Sequence, residues 1–188
     1  AREKDTKFLD APITGSKHGA ESGQLLFMIG GPKEVFDKLK EVWSAMCKKA
    51  VYCGGNGFGQ KAKYALNLTQ ALTLESYLEG LIFGLKNGVP LDAMNDVLES
   101  SAAKSGVSAF KIPYIRKRDF TPHFLYKLMH KDLKIAEKEI QKLGLRFPLT
   151  NGIFKQFQKG HEKGLDEEDF CSLVKLLEEE AGIEVKDR

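Results

Sequence analysis

The spacing of hydrophobic positions changes near residue 57. Before it, short apolar runs at residues 7–13, 25–29 and 50–53 each predict a strand bounded by turn residues. Between the second and third runs, apolar residues recur at helical spacing after Pro32. This series is too short for a complete nucleotide-binding domain. It predicts the last strands of a Rossmann-type α/β domain.

Helical spacing dominates the rest of the chain. Residues 58–87 contain no proline and are apolar around most of the helix circumference, which is typical of a buried helix. Further helices are predicted at 91–100, within 101–120, and at 122–143, 147–160 and 165–180. The predicted fold is therefore mainly α. Residues 1–57 form the C-terminal remnant of a dinucleotide-binding α/β domain, and residues 58–188 form an all-helical domain.

Composition adds few constraints. The chain has 188 residues, of which 42% are hydrophobic and 29% charged, with a net charge of +3, as in an ordinary globular protein. No apolar run is long enough to span a membrane, so no membrane partner is expected. Cys47, Cys53 and Cys171 are odd in number and match no zinc-binding spacing. They predict reduced thiols, no metal site, and a cytoplasmic or mitochondrial-matrix location.

Three short segments carry candidate chemistry. The first is residues 57–67, where two glycines open the long helix and Lys63 and Asn67 follow four residues apart, on one helical face. A lysine beside an asparagine suits proton transfer, provided that burial or a neighbouring cation such as Lys61 lowers the pKa of the lysine. The same spacing also suits an ordinary solvated lysine.

The second segment is residues 10–16, Asp-Ala-Pro-Ile-Thr-Gly-Ser, where a predicted strand ends in Thr14, Gly15 and Ser16. Hydroxyls and free backbone N–H groups at such a turn suit a carboxylate or phosphate. Glycine and serine are also common in turns that bind nothing. This segment alone leaves both interpretations open.

The third segment is His130, Lys131 and Asp132 in the second long helix. Neighbouring helical residues point about 100° apart, so Lys131 and Asp132 are not expected to face each other. Lys131 is a candidate for contacting a cofactor, and Asp132 for holding a neighbouring element in place. A solvated charged face is the alternative. His130 is either a proton donor or, as is commoner, a packed or surface histidine.

Together, in this order, the segments resemble the β-hydroxyacid dehydrogenase family, which includes 3-hydroxyisobutyrate dehydrogenase and tartronate semialdehyde reductase and is related to 6-phosphogluconate dehydrogenase. Residues 10–16 are similar to the family's Asp-Ala-Pro-Val-Ser-Gly-Gly signature, and residues 57–67 to Gly-x-Gly-x-x-x-Lys-x-x-Asn-Asn. Residues 131–133 match its Lys-Asp-Leu signature, and residues 119–124 are also similar to the family pattern. The resemblance runs over nearly the whole chain.

The resemblance implies an NAD- or NADP-dependent oxidoreductase acting on a short 3-hydroxy acid, with the helical domain serving substrate binding and homo-oligomer formation. Lys63 would be the catalytic acid/base, and Asn67 would contact the substrate. The residues Thr14, Gly15 and Ser16 would bind the substrate carboxylate, and Lys131 would contact the cofactor. Thr14-Gly15-Ser16 departs from Ser-Gly-Gly, and Leu66 replaces the first asparagine, which affects the substrate more than the reaction type.

The sequence contains no Gly-x-Gly-x-x-Gly after an early strand, the usual dinucleotide phosphate site. We therefore expect a C-terminal portion of a longer enzyme that is inactive alone. Two other functions remain as alternatives. One is a non-catalytic oligomerisation module built on the 58–87 helix. The other is nucleic-acid binding through Lys111 and the Arg116-Lys117-Arg118 run, although no recognition motif surrounds these residues, so nucleic acid is not an expected partner.

Overall fold

The computed structural model describes residues 6–187, and these divide into two compact units, residues 6–66 and residues 67–187. The division falls inside the longest helix. The domain boundary at residue 57 inferred from the sequence stays a prediction. No helix in the described residues is both long enough and apolar enough to cross a bilayer.

The first unit contains a three-stranded sheet in the order β1 (Ile13–Thr14), β2 (Leu26–Gly30) and β3 (Lys49–Gly54). Strand β1 pairs antiparallel with β2, and β2 pairs parallel with β3. The connections contain three short helices: α1 (Ser16–Glu21), α2 (Lys33–Lys38) and α3 (Lys40–Met46). A small core packs against the sheet and includes Leu25, Phe27, Ile29 and Trp43.

Two sequence predictions in this unit need correction. The predicted strand at 7–13 is reduced to Ile13–Thr14 plus one isolated bridge between Asp10 and Gly30, because Pro12 has no N–H to donate to a ladder. The helix predicted after Pro32 is interrupted at Leu39. There the Phe36 carbonyl accepts from the Trp43 indole and the Leu39 N–H. Helix α1 was not predicted.

The helical part of the structure begins with α4 (Phe58–Lys86), close to the predicted 58–87. It continues with α5 (Leu91–Glu99), α6 (Gly106–Arg116), α7 (Tyr126–Lys142), α8 (Pro148–Glu162) and α9 (Val174–Ala181). Two 3-10 helices, Leu165–Glu167 and Phe170–Leu173, precede α9. A mainly α fold with a small sheet is thus confirmed. Leu74, Leu78 and Leu81 of α4 have no exposed surface and form the centre of the core of the second unit.

The predicted helices at 122–143 and 165–180 both begin later than expected, and Asp169 explains this. The buried carboxylate of Asp169 pairs with Lys111 at 2.7 Å and accepts from the N–H groups of His123 and Phe124. These bonds hold residues 120–125 in a non-helical segment before α7. The N–H of Cys171 also donates to the carboxylate, so Asp169 begins a 3-10 turn rather than continuing an α-helix.

Glu75 is a second buried acid, and it gives the stability of this unit a pH dependence. Burial, with a smaller contribution from the Glu79 carboxylate, raises the pKa of Glu75 to about 7 from its ordinary value of 4.5. The folded state therefore holds this proton more tightly than the unfolded state. The associated stability is fully present below the unfolded pKa and is lost as the pH rises through about 7.

We expect the free energy of unfolding to fall by up to about 3 kcal/mol between pH 4.5 and pH 8 on account of this group, at 1.36 kcal/mol per pKa unit. Glu75→Gln removes the titration and should flatten this part of the profile. Urea denaturation at several pH values measures it, with the exposed Glu79→Gln as control. If the free energy of unfolding changes with pH in the same way in the wild type and in Glu75→Gln, Glu75 is not the group responsible.

Candidate active site

The three residues predicted to bind a carboxylate lie where β1 passes into α1: Thr14 ends the strand, Gly15 connects the two elements, and Ser16 begins the helix. Gly15 has φ +127° and Ser16 has φ +58°, a left-handed conformation that is uncommon for a residue with a side chain. The Gly15 carbonyl accepts from the N–H of Gly19 at 2.8 Å, which starts α1. The structure therefore places the three residues together at the junction of β1 and α1. What they bind stays a prediction.

The start of α4 is held by Asp10, whose role was not predicted from the sequence. Its Oδ1 accepts from the N–H of Gly57 at 2.6 Å, and its Oδ2 accepts from the N–H of Gln60 at 3.0 Å. The carboxylate therefore caps the first turn of the helix, where N–H groups have no intrahelical partner and the helix dipole favours negative charge. Asp10 is 8% exposed, so few waters can replace these bonds.

The glycines of the 57–67 motif make this cap possible. Gly57 has φ +88°, which suits a residue without a side chain. A Cβ added to Gly59 would lie 2.7 Å from Asp10 Oδ2, and one added to Gly30 would lie 2.5 Å from Asp10 Oδ1. The two glycines let the strand and the helix approach the carboxylate. The Gly-x-Gly part of the motif thus fixes where α4 begins. It thereby also fixes the position of Lys63 in the second turn of that helix.

Asp10→Ala removes both bonds to the α4 N-terminus, and we expect it to destabilise the fold by about 1–2 kcal/mol, as for the loss of a helix cap. Thermal or urea denaturation measures the effect. Asp37→Ala is the control, because Asp37 makes its ion pair with Lys33 on the exposed surface of α2. Equal effects of the two substitutions would contradict the capping role.

Lys63 is half-buried in the second turn of α4, and Asn67 lies further along the same helix. Lys61 is exposed, and its ammonium group lies over the Phe58 ring at 4.7 Å from the centroid. This cation–π contact holds the ammonium group of Lys61 at Phe58. The catalytic role of Lys63 stays a prediction.

In the second unit, Asn67 and Lys131 are connected through Asp132. Asn67 Nδ2 donates to Asp132 Oδ2 at 2.7 Å, and Lys131 Nζ lies 3.2 Å from Asp132 Oδ1. Asn67 is 1% and Asp132 is 7% exposed. The expectation that Lys131 and Asp132 do not face each other was wrong, because the long lysine side chain folds back to its neighbour. Asp132 thus holds α7 against Asn67.

The geometry determines which way the Asn67 amide points. An ionised carboxylate only accepts hydrogen bonds, so Asn67 must present its NH₂ group to Asp132. Asn67 Oδ1 is then a buried acceptor, and it has no hydrogen-bond partner among the residues that the structure describes. Such an orphan atom is costly unless a bound molecule supplies a donor. The arrangement therefore suits a ligand with a hydroxyl or N–H group.

His130 belongs to the packing between α7 and α8. Its Nε2 lies 3.2 Å from Gln158 Oε1, and its ring lies 4.8 Å from that of His161. Burial and the nearby His161 lower the pKa of His130, which favours a neutral ring. These contacts support the packed histidine over the proton donor.

The basic residues considered for nucleic-acid binding mostly form internal ion pairs. Lys111 is buried against Asp169, Arg116 pairs with Asp92 and Asp187, and Arg118 pairs with Glu178 and Glu184. A phosphate backbone requires available cations. This use of the positive charge argues against a nucleic-acid surface.

Two family models match the chain. The model described as NAD-binding of NADP-dependent 3-hydroxyisobutyrate dehydrogenase matches residues 57–177, and the NAD binding domain of 6-phosphogluconate dehydrogenase matches residues 1–55. Both descriptions name the nicotinamide dinucleotide, which confirms the predicted cofactor class.

Curated relatives agree with these matches. The chain is 31% identical over 186 residues to 2-(hydroxymethyl)glutarate dehydrogenase of Eubacterium barkeri, covering 98% of this chain and 62% of that protein. It is 33% identical over 171 residues to 2-hydroxy-3-oxopropionate reductase of Escherichia coli K12, covering 91% and 59%. The chain thus spans about three-fifths of the length of these relatives.

A solved structure shows the same fold. The 3-hydroxyisobutyrate dehydrogenase of Mycobacterium tuberculosis, determined with L-serine, aligns with a TM-score of 0.82 and 26% identity, covering 90% of this chain and 60% of that one. Because the first family model alone matches well over half of the chain, these comparisons establish a family. The chain belongs to the β-hydroxyacid dehydrogenase family, as the order of its motifs predicted.

Proposed function

We propose that the intact protein interconverts a short 3-hydroxy acid and its semialdehyde or oxo acid, with NAD or NADP as cofactor. The observation that carries this proposal is the buried Asn67 amide, anchored by Asp132 and left with an unpartnered acceptor. An O–H or N–H group of the bound substrate or cofactor, other than the proton that passes to Lys63, supplies the missing donor. The names of the relatives, two dehydrogenases and a reductase of oxygenated acids, support the same class of reaction.

The residues present fit a nicotinamide cofactor and an acidic substrate. When bound, the cofactor supplies the hydride acceptor for oxidation and the hydride donor for reduction. Lys131 is the residue that would contact it, since its side chain is 62% exposed while Asp132 fixes its ammonium group. Thr14, Gly15 and Ser16 would hold the substrate carboxylate through hydroxyl and backbone N–H groups.

Lys63 moves the proton in this proposal. In oxidation, the hydroxyl proton passes to the neutral amine of Lys63. The hydride leaves the hydroxyl-bearing carbon for the cofactor, and the C=O bond forms. In reduction, the ammonium group of Lys63 returns the proton to the carbonyl oxygen. A hydrogen bond from the ammonium group of Lys63 to the developing alkoxide lowers the barrier, because such a donor is strongest where charge appears. Asn67 Oδ1 accepts a hydrogen bond from the bound molecule.

The rest of the predicted organisation supports this function. The two family models meet between residues 55 and 57, next to the proposed domain boundary. Residues 1–57 then belong to a Rossmann-type dinucleotide-binding domain, and residues 58–188 form the substrate and dimerisation domain of a homo-oligomer.

The alternative, a purely structural oligomerisation module, has less support. Although Phe83 of α4 is 72% exposed, the apolar residues at the centre of the helix are already covered within one chain, with Leu74, Leu78 and Leu81 at 0% exposure. They need no second copy to bury them. A module of that kind also gives no reason for the orphan acceptor on Asn67.

The experiment that tests the proposal uses the full-length protein with a panel of short hydroxy acids, including L-serine and 3-hydroxyisobutyrate, and with each cofactor. Formation of reduced nicotinamide, followed by absorbance, should depend on both the acid and the cofactor. A matched panel of 2-hydroxy acids is the control and should react far more slowly. If the full-length protein binds cofactor but oxidises none of the 3-hydroxy acids, the proposal is wrong.

A further inference from the structure

A groove of about 700 Å³ runs between α4 and α8 in the second unit. This volume lies within the range typical of sites for small molecules, about 300–1,000 Å³. Its apolar wall includes Leu72, Pro148, Leu149 and Ile153. None of the residues proposed above for the dehydrogenase reaction lines it, so the groove is separate from that site.

Two acceptors in this groove lack donors. Glu75 Oε2 and Gln156 Oε1 are both buried, and neither has a hydrogen-bond partner within the described part of the chain. Both residues line the groove, and Glu75 is only 8% exposed. One orphan acceptor can be a local imperfection of packing. Two of them, from different helices and on one groove, indicate a missing donor.

The charged and titratable groups around Glu75 determine the kind of donor. Glu79 lies on the same helix, Tyr126 faces it from α7, and Lys155 and Lys159 line the groove from α8. Both lysines are exposed, and neither is among the groups that shift the pKa of Glu75, which responds to burial and to Glu79. Because burial and Glu79 raise the pKa of Glu75 to about 7, its carboxyl changes charge near neutral pH.

We propose that this groove binds a small primary amine, whose ammonium group donates to Glu75 Oε2 and Gln156 Oε1 and whose apolar part lies against Leu72 and Ile153. An ammonium group has three donors and no acceptor, which suits two unpartnered acceptors. Its positive charge suits the carboxylates of Glu75 and Glu79. This site goes beyond the proposed oxidoreductase function and does not depend on it.

Calorimetry of the full chain with n-butylamine tests the proposal. The amine remains protonated at both pH 6 and pH 8, since alkylammonium groups titrate near the lysine value of about 10.4. Binding requires the ionised Glu75, so the affinity should be about tenfold higher at pH 8 than at pH 6. Binding at pH 6 should also release a proton, which makes the measured heat depend on the buffer. Butan-1-ol has the same apolar part but no charge. Its binding should show neither the tenfold difference in affinity between pH 6 and pH 8 nor the release of a proton at pH 6.

Two variants separate this site from non-specific binding. Glu75→Gln keeps the shape and should lower the affinity at pH 8 at least tenfold and abolish its pH dependence. Glu79→Gln, one turn along the helix and exposed, should keep the pH dependence but move it to lower pH. Far-UV circular dichroism confirms folding of both.

Three results would overturn the proposal. The first is the absence of binding at millimolar amine. The second is equal affinity of the wild type and Glu75→Gln. The third is a titration of Glu75, followed by NMR, that shifts with protein concentration, because a second copy of the chain would then supply the donor.

Discussion

Lys63→Ala in the full-length protein is expected to lower the turnover number by about 10²–10⁴-fold, the usual contribution of a general acid/base group. In the proposed reaction, the substitution removes the amine that takes the hydroxyl proton in oxidation and returns it in reduction. Binding of the cofactor should change little, because the proposal assigns Lys63 to the substrate. Steady-state kinetics, with cofactor affinity measured separately, gives both quantities.

Lys61→Ala is the matched control, since Lys61 lies two residues away, is exposed, and has its ammonium group over Phe58. It should retain most of the activity. A loss of less than tenfold in Lys63→Ala would rule out the acid/base role. Equal losses in both variants would show that positive charge near the start of α4 matters rather than proton transfer.

Asp132→Leu should lower kcat/KM by about 10²-fold, the loss that a misplacement of about 1 Å can cause at an active site. Leucine is similar in size to aspartate but cannot accept from Asn67 Nδ2, so the amide loses the bond that fixes its orientation. Asn67 Oδ1, the proposed acceptor for the bound molecule, is then no longer held in one orientation. Kinetics of the full-length variant measures the loss.

Asp132→Asn is the control for this prediction. Its side-chain oxygen still accepts from Asn67, so Asn67 keeps its orientation, and kcat/KM should stay within about tenfold of the wild type. Thermal unfolding of both variants separates misfolding from misorientation. If leucine and asparagine have equal effects, the charge of Asp132, rather than its hydrogen bond to Asn67, is what the reaction needs.

The regular elements were predictable where local patterns decide them. Helix α4 matches its prediction within one residue at its end, because the segment between Gly57 and Gly88 contains no proline and carries apolar residues around most of the helix. Strands β2 and β3 agree equally well. The starts of α7 and α9 were missed because Asp169 binds the backbone of both segments, at His123, 46 residues away, and at Cys171, 2 residues away. A buried ion pair such as Lys111–Asp169, 58 residues apart, leaves no periodic signal.

The candidate site was predictable as a set of residues but not as an arrangement. The order of the motifs predicted Lys63, Asn67 and Lys131 as site residues, but it did not predict which residues they contact. The bond between Asn67 and Asp132 joins residues 65 positions apart, and the cap that Asp10 forms on Gly57 joins residues 47 apart. Only the glycines of the 57–67 motif indicated that something approaches the start of α4 closely.

The most direct test of the account is a crystal structure of the full-length protein with its oxidised cofactor and a 3-hydroxy acid that it oxidises. The account predicts that the substrate hydroxyl lies about 2.6–3.2 Å from Lys63 Nζ, the distance that proton transfer requires. Asn67 should contact the same substrate, and the carboxylate should lie at Thr14, Gly15 and Ser16. A hydroxyl bound beside a different ionisable group, with Lys63 outside hydrogen-bonding distance, would contradict it.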